Sequence, residues 1–282
     1  MRKVISILTI VSFSFMMFPG ESIRAEEGKE FMDNDGHESF ALDNLRLEIV
    51  YDNNSSKENI KADWGFGCFI TGAVKTILFD TGAKGDILLA NMRHMHLEPK
   101  DIELIFISHD HWDHTGGLRD ILPQCDRAEV YMLQAFSPET KRIPQESGAA
   151  LFEITASTSL GENIYTTGQM GKDIKEQALV FKTKRGLVIV TGCAHPGIVE
   201  ITRKVKEMFP DELFLVIGGF HLVRDSEEAI GAVIEELKSM GVRYAAPCHC
   251  SGDNARRLFK EAFGDNYIEV SAGLTLDLSE LK

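Results

Sequence analysis

One ten-residue run constrains this chain more than any other feature. Residues 108–117 read Ser-His-Asp-His-Trp-Asp-His-Thr-Gly-Gly and follow directly on a short apolar run at residues 102–107. An unbroken apolar run of this length indicates a strand that is buried on both faces. Catalytic groups emerge at strand ends in α/β architectures. The sequence therefore predicts a cluster of imidazole and carboxylate groups at the end of a buried strand.

The spacing within this run predicts two neighbouring metal positions. Side chains alternate along extended backbone, so His109 and His111 point the same way and can reach one ion. Asp113 and His114 follow after the chain turns, so they can face a second ion beside the first. Neutral imidazole and carboxylate suit zinc, and also iron or manganese. The alternative is a polar loop with coincidental histidines, which the density of the cluster disfavours.

The pattern His-x-His-x-Asp-His followed by Gly-Gly resembles the signature of the metallo-β-lactamase superfamily. The upstream Leu-Phe-Asp-Thr-Gly at residues 78–82 is similar to the same pattern. With later histidines at strand ends, the chain resembles the 7,8-dihydropterin-6-methyl-4-(β-D-ribofuranosyl)aminobenzene-5'-phosphate synthase-like metallo-hydrolase branch. The resemblance covers residues 45–273 and implies an α/β fold, a four-layer αββα sandwich in a single domain.

The resemblance also implies a ligand set for two divalent transition-metal ions, with zinc expected first and iron or manganese as alternatives. It assigns the first ion to His109, His111 and His195. It assigns the second ion to Asp113, His114 and His249. Asp113 is also the expected catalytic residue.

The bridging ligand departs from the superfamily pattern. The superfamily usually supplies a carboxylate that bridges both ions, whereas the corresponding strand end here reads Gly219-Phe220-His221. The branch pattern implies that His221 occupies this position. A role beside the ligands or the substrate is the alternative for His221. The nearest acidic residue is Asp225, which is disfavoured as a ligand.

Several neighbouring residues leave two interpretations open. Asp80 either orients a histidine ligand through a hydrogen bond or anchors the turn that follows it. Cys193 precedes His195 by two residues, so it either supplies a thiolate near the metal or is a small buried residue, the more common case. If residues 247–251 are extended, Cys248 and Cys250 point away from the intervening histidine, and we expect packing roles for both.

The sequence predicts a helix and a loop in two segments outside the cluster. Apolar spacing predicts a helix over residues 86–96, on which His94 and His96 are expected to be solvated. Residues 134–148 carry Pro and Ser, and we predict a loop there.

The amino terminus resembles a secretory signal peptide over residues 1–25. Two basic residues precede an apolar stretch at residues 4–18, and Ala25 is a small residue at the predicted cleavage site. The alternative is an uncleaved membrane anchor, but the stretch is shorter than the roughly 20 residues that a span requires. We therefore predict export to the periplasm or beyond, a flexible spacer over residues 26–43, and one domain over residues 44–282.

Charge and cysteine content limit the partners. The net charge of −13 gives an acidic surface that repels phosphate backbones and anionic membranes. We expect a small-molecule substrate, no nucleic acid and no stable membrane insertion after leader cleavage; the oligomeric state is left open. Five cysteines are an odd and sparse set, which argues against a disulfide scaffold.

The expected function is metal-dependent hydrolysis of an ester, lactone or phosphoester, because two ions about 3.5–4 Å apart activate water at neutral pH. The branch resemblance implies an alternative, a transferase that joins a dihydropterin to an aminobenzene ribofuranosyl phosphate. An exported protein that binds metal or ligand without catalysis is the third interpretation.

Overall fold

The computed structural model describes residues 23–24 and 42–282. Within these residues the chain forms fourteen strands and seven α-helices. The strands are β1 (Ile23–Arg24), β2 (Arg46–Tyr51), β3 (Gly67–Thr71), β4 (Ile77–Phe79), β5 (Leu104–Phe106), β6 (Glu129–Leu133), β7 (Ala150–Ile154), β8 (Thr158–Gly161), β9 (Ile164–Thr166), β10 (Leu179–Thr183), β11 (Gly186–Thr191), β12 (Leu213–Gly219), β13 (Tyr244–Cys248) and β14 (Thr275–Asp277). The α-helices are α1 (Gly85–His94), α2 (Trp112–Thr115), α3 (Leu118–Ile121), α4 (Pro138–Ser147), α5 (Ile198–Met208), α6 (Glu227–Ser239) and α7 (Gly252–Phe263).

The strands form two mixed sheets. The first has the order β1-β7-β6-β5-β4-β3-β2-β14, and the second has the order β13-β12-β11-β10-β9-β8. Strands β4 to β7 are parallel in the first sheet, and β11 to β13 are parallel in the second. Because parallel strands end at the same edge, residues that follow β4, β5, β11, β12 and β13 can meet at one end of the molecule.

The two sheets pack face to face and carry helices on their outer faces. Successive side chains of β10 point to opposite faces of its sheet. Leu179 and Phe181 belong to the apolar core that joins both sheets. Val180 instead belongs to a second apolar cluster, which contains buried residues of α5, α6 and α7. Leu88 of α1 packs against the first core from outside its sheet. The predicted single-domain αββα sandwich is confirmed.

The predictions for the two other segments had different outcomes. The helix predicted over residues 86–96 is α1, and His94 and His96 are exposed as expected. The loop predicted over residues 134–148 is wrong, because α4 occupies most of it. Ser137 caps this helix by accepting a hydrogen bond from the Thr140 backbone N–H at 3.2 Å, and Pro138 stands at its first position. Ser and Pro in this order are signals for a helix start.

The predictions for the amino terminus stay predictions. The signal peptide over residues 1–25 and the spacer over residues 26–43 lie outside the described residues, except at β1 and at the end of the spacer. There the Leu42 backbone N–H donates to the Lys182 carbonyl at 3.3 Å, and Asp43 forms an ion pair with Lys184. Among the described helices, none has the length and apolar character needed to cross a bilayer.

Candidate metal centre

The predicted ligands follow strands of both sheets at one end of the sandwich. His109 follows β5 of the first sheet. His195, His221 and His249 follow β11, β12 and β13 of the second sheet. The strand ends therefore bring together side chains that are up to 140 positions apart in the sequence.

The backbone turns sharply after four strands, β4, β11, β12 and β13. Asp80, Ala194, His221 and His249 have φ values of 53°, 61°, 56° and 49°, in the left-handed region. Residues other than glycine rarely adopt this conformation, which costs about 1–3 kcal/mol per residue and clusters at functional sites. The surrounding structure therefore holds these turns in place and directs the neighbouring side chains toward one volume.

His109, His111 and His195 form what we call the first donor group. The Nε2 atom of His109 lies 3.1 Å from Nδ1 of His111. The ring centroid of His195 lies 4.7 Å from that of His109 and 4.9 Å from that of His111. Burial lowers the pKa of both His109 and His111, so these rings are neutral at pH 7. Neutral imidazole is the form that binds a metal ion.

Asp113, His114 and His249 form the second donor group. The Oδ2 atom of Asp113 lies 3.7 Å from Nε2 of His114 and 3.3 Å from Nε2 of His249. Burial lowers the pKa of His114 to about 3, so this ring is also neutral. The Nε2 atom of His249 is buried, and its contact with Oδ2 of Asp113 at 3.3 Å does not have the geometry of a good hydrogen bond. Because a buried polar atom without a good hydrogen bond is costly, this set fits a bound cation.

Two cysteines join the donor atoms. Three sets of donor atoms each lie within 4.8 Å of one another: Asp113, His114, Cys193 and His249; His109, Cys193 and His195; and Cys193, His221 and Cys250. Cys193 belongs to all three sets, so it lies between the two donor groups. His221 is grouped with the cysteines, while its ring lies 4.5 Å from that of His195. The expectation that Cys250 packs away from the site is wrong, because residues His249–Ser251 form a 3₁₀ turn in which strand alternation does not apply.

Asp80 and Ser108 orient two of the histidines. The Asp80 carboxylate lies 2.6 Å from Nδ1 of His114 and accepts hydrogen bonds from the backbone N–H and the hydroxyl of Ser108 at 2.8 and 2.7 Å. The Ser108 hydroxyl in turn lies 2.9 Å from Nδ1 of His109. These contacts engage Nδ1 and leave Nε2 of each ring facing the site. The interpretation of Asp80 as an orienting residue is confirmed.

Glu176 and Asn53 orient the two other rings, and sequence reasoning missed both. The fully buried Glu176 carboxylate accepts backbone hydrogen bonds from Cys193, Ala194 and His195 at 2.8–2.9 Å. It also lies 2.8 Å from Nδ1 of His195. The Oδ1 atom of Asn53 lies 2.9 Å from Nδ1 of His249. Neither residue lies in a recognisable motif, so no local signal identified them.

The fold and these clustered donors define a metallo-β-lactamase-type sandwich with a candidate metal centre. A family model described as the metallo-beta-lactamase superfamily matches residues 69–167, which include the His-x-His-x-Asp-His run. These residues therefore match the metallo-β-lactamase superfamily, and the fold of the described residues is of the same type. The resemblance predicted from the sequence is confirmed.

Three similar proteins extend the comparison. The chain is 29% identical over 247 residues to a protein of Methanocaldococcus jannaschii named 7,8-dihydropterin-6-methyl-4-(beta-D-ribofuranosyl)-aminobenzene-5'-phosphate synthase, covering 72% of this chain and 84% of that protein. It is 28% identical to Tm1679, a metal-dependent hydrolase of the beta-lactamase superfamily, with a TM-score of 0.70 and coverage of 84% of this chain and 100% of that chain. YhfI from Bacillus subtilis shares the fold at 13% identity and a TM-score of 0.63, covering 82% of this chain and 99% of that chain.

Proposed function

We propose that this protein is a hydrolase that activates water at two divalent transition-metal ions, with zinc expected first and iron or manganese as alternatives. The observation that carries the proposal is the meeting of the two donor groups at one end of the sandwich. The similarity to a metal-dependent hydrolase over 84% of this chain supports the proposal.

Each donor group has a defined part in this proposal. The first donor group would hold one ion through three imidazoles, and the second would hold the other through two imidazoles and the Asp113 carboxylate. When bound, the ions lower the pKa of water and stabilise negative charge that develops on the substrate. The Trp64 indole N–H donates to Oδ2 of Asp113 at 2.9 Å and fixes this carboxylate. Asp113 remains the predicted catalytic residue, because its carboxylate is fixed at the proposed reaction site.

Two exposed tryptophans favour substrates with an apolar portion. Trp64 is 43% exposed, and its ring centroid lies 5.2 Å from that of His249. Trp112 is 63% exposed and directly follows His111. Large exposed aromatic surfaces are suited to binding a partner molecule. We therefore propose a small molecule in which an apolar group adjoins the ester, lactone or phosphoester bond.

Metal removal and restoration test this proposal. The full chain is assayed against chromogenic carboxylic esters, lactones, phosphodiesters and β-lactams. We expect at least one class to be hydrolysed, with activity reduced by at least about 100-fold after chelation and restored by zinc. Elemental analysis of the same samples gives the number of ions per chain.

Two outcomes would contradict the hydrolase. Uniform inactivity with two ions bound would favour a metal- or ligand-binding protein without catalysis. Activity that survives complete metal removal would show that water is activated by another route.

A transferase is the second candidate, because the chain covers 84% of the synthase-named relative at 29% identity. Incubation with a dihydropterin and a ribofuranosyl aminobenzene phosphate tests it. Product formation faster than hydrolysis of every compound in the panel would replace our proposal.

We also propose that residues 1–25 direct export of the protein. An external location disfavours the transferase, because synthesis of a dihydropterin compound is expected inside the cell. Recovery of the uncleaved chain from the membrane fraction would instead support the anchor alternative.

A further inference from the structure

Cys193 occupies a position that the hydrophobic core does not explain. The buried Cys68 and Cys248 belong to the apolar core between the sheets. Cys193 and Cys250 are equally buried but belong to neither apolar cluster of the described residues. The Sγ atom of Cys193 instead lies 3.3 Å from Nε2 of His114. Cys193 therefore contacts a donor atom of the candidate metal centre.

This sulfur lies between the two donor groups. It is within 4.8 Å of donor atoms of His109 and His195 on one side and of Asp113, His114 and His249 on the other. His221, the residue expected to bridge, forms its set with the two cysteines. Among the described residues in these three sets, Asp113 supplies the only carboxylate, and it belongs to one set.

Gly219, at the end of β12, has no room for a side chain. A Cβ atom on Gly219 would lie 2.3 Å from the Gly192 carbonyl oxygen and 2.7 Å from Sγ of Cys250. Such distances are far inside van der Waals contact, so an acidic side chain at this position requires displacement of the backbone. The Cα atom of Cys193 would also lie 3.1 Å from this Cβ atom.

The surrounding hydrogen bonds hold Cys193 in place. Its backbone N–H donates to Oε1 of Glu176 at 2.9 Å, and its carbonyl accepts from Sγ of Cys250 at 3.5 Å. The same Glu176 carboxylate holds His195. Cys193 and His195 are therefore positioned as one unit, and the Cys193 sulfur lies within 4.8 Å of a donor atom of His249.

We propose that Cys193 is a thiolate ligand shared between the two cation positions, in the place where the superfamily usually has a bridging carboxylate. This inference rests on the proposed metal centre. On metal binding, the sulfur forms bonds to the cations and its proton is released to solvent. A thiolate is a soft donor, so the site favours zinc or iron over manganese, magnesium or calcium.

Cobalt substitution tests the inference independently of catalysis. The full chain loaded with Co²⁺ is expected to show sulfur-to-cobalt charge-transfer absorption in the near ultraviolet. Cys193→Ser and Cys193→Ala should lose this absorption while keeping the visible bands of bound cobalt. Both variants should also lower zinc affinity by more than about tenfold, the smallest loss typical of a change beside a metal ligand. Cys125→Ala is the matched control, because Cys125 lies outside the three donor sets and should leave the spectrum unchanged.

The outcomes separate the sulfur ligand from the hydrolase. Bound cobalt without charge transfer overturns the role of Cys193, and hydrolysis by the same sample leaves the proposed function standing. Loss of the absorption in Cys250→Ser but not in Cys193→Ser also overturns it. Charge transfer that depends on Cys193, in a protein that hydrolyses nothing, supports the ligand and contradicts the hydrolase. Failure to bind any cobalt or zinc overturns both.

Discussion

Replacing His111 by alanine is expected to abolish hydrolysis and to remove at least one metal ion per chain, while the protein stays folded. His111 contributes a neutral imidazole 3.1 Å from Nε2 of His109, but it is only half-buried and belongs to no apolar cluster. Its loss therefore weakens metal binding more than the core. We expect affinity to fall by more than the roughly 10–100-fold loss typical of changing a residue beside a ligand. Elemental analysis and zinc titration with a competing chelator measure the effect, and circular dichroism checks folding.

His94→Ala is the matched control for this experiment. His94 is exposed on α1 and belongs to neither donor group, so metal content and activity should stay at the wild-type level. His195→Ala repeats the test from the second sheet and should give the same loss. Unchanged metal content in both His111→Ala and His195→Ala would contradict the assignment of the first donor group.

Replacing Glu176 by alanine is expected to destabilise even the metal-free protein. The carboxylate accepts three backbone hydrogen bonds from residues 193–195 and contacts Nδ1 of His195, all in a fully buried position. Its removal leaves three buried N–H groups without acceptors, each of which costs about 1–3 kcal/mol. We expect the free energy of unfolding to fall by about 3–9 kcal/mol, a large share of the roughly 5–15 kcal/mol available to a domain. Urea unfolding of the metal-free protein measures this loss.

Two further variants test the explanation. Glu176→Gln keeps one acceptor oxygen and should lose less stability than Glu176→Ala. Glu235→Ala removes an exposed carboxylate on α6 and should change the unfolding free energy by less than about 0.5 kcal/mol. Equal unfolding midpoints for Glu176→Ala and the wild type would show that the carboxylate is not needed to hold residues 193–195.

The strong local patterns in the sequence predicted the fold and much of the site. The apolar run before His109 is β5, and the helical spacing after residue 85 is α1. The four side chains of the His-x-His-x-Asp-His run lie close together, because strand alternation and one turn determine their directions within a few residues. The later histidines were found because each follows an apolar strand, and parallel strands end together.

The contributions of Glu176, Asn53 and Cys250 could not be predicted in the same way. Glu176 meets Cys193 across 17 positions, and Asn53 meets His249 across 196, so only the folded chain brings them together. Cys250 faces the site because a 3₁₀ turn replaces extended backbone at His249–Ser251. Local sequence patterns cannot reveal which buried carboxylate will accept hydrogen bonds from the backbone N–H groups of a distant turn.

The two sheets contribute opposite sides of the donor cluster, with the His109–His114 segment on one and the three later histidines on the other. An ion bound by residues of both sheets would have to be released before the two sheets could separate. By mass action, every tenfold rise in free metal above its dissociation constant would add about 1.4 kcal/mol to the cost of opening the sandwich. Resistance of the chain to proteases would then follow the supply of metal in its surroundings.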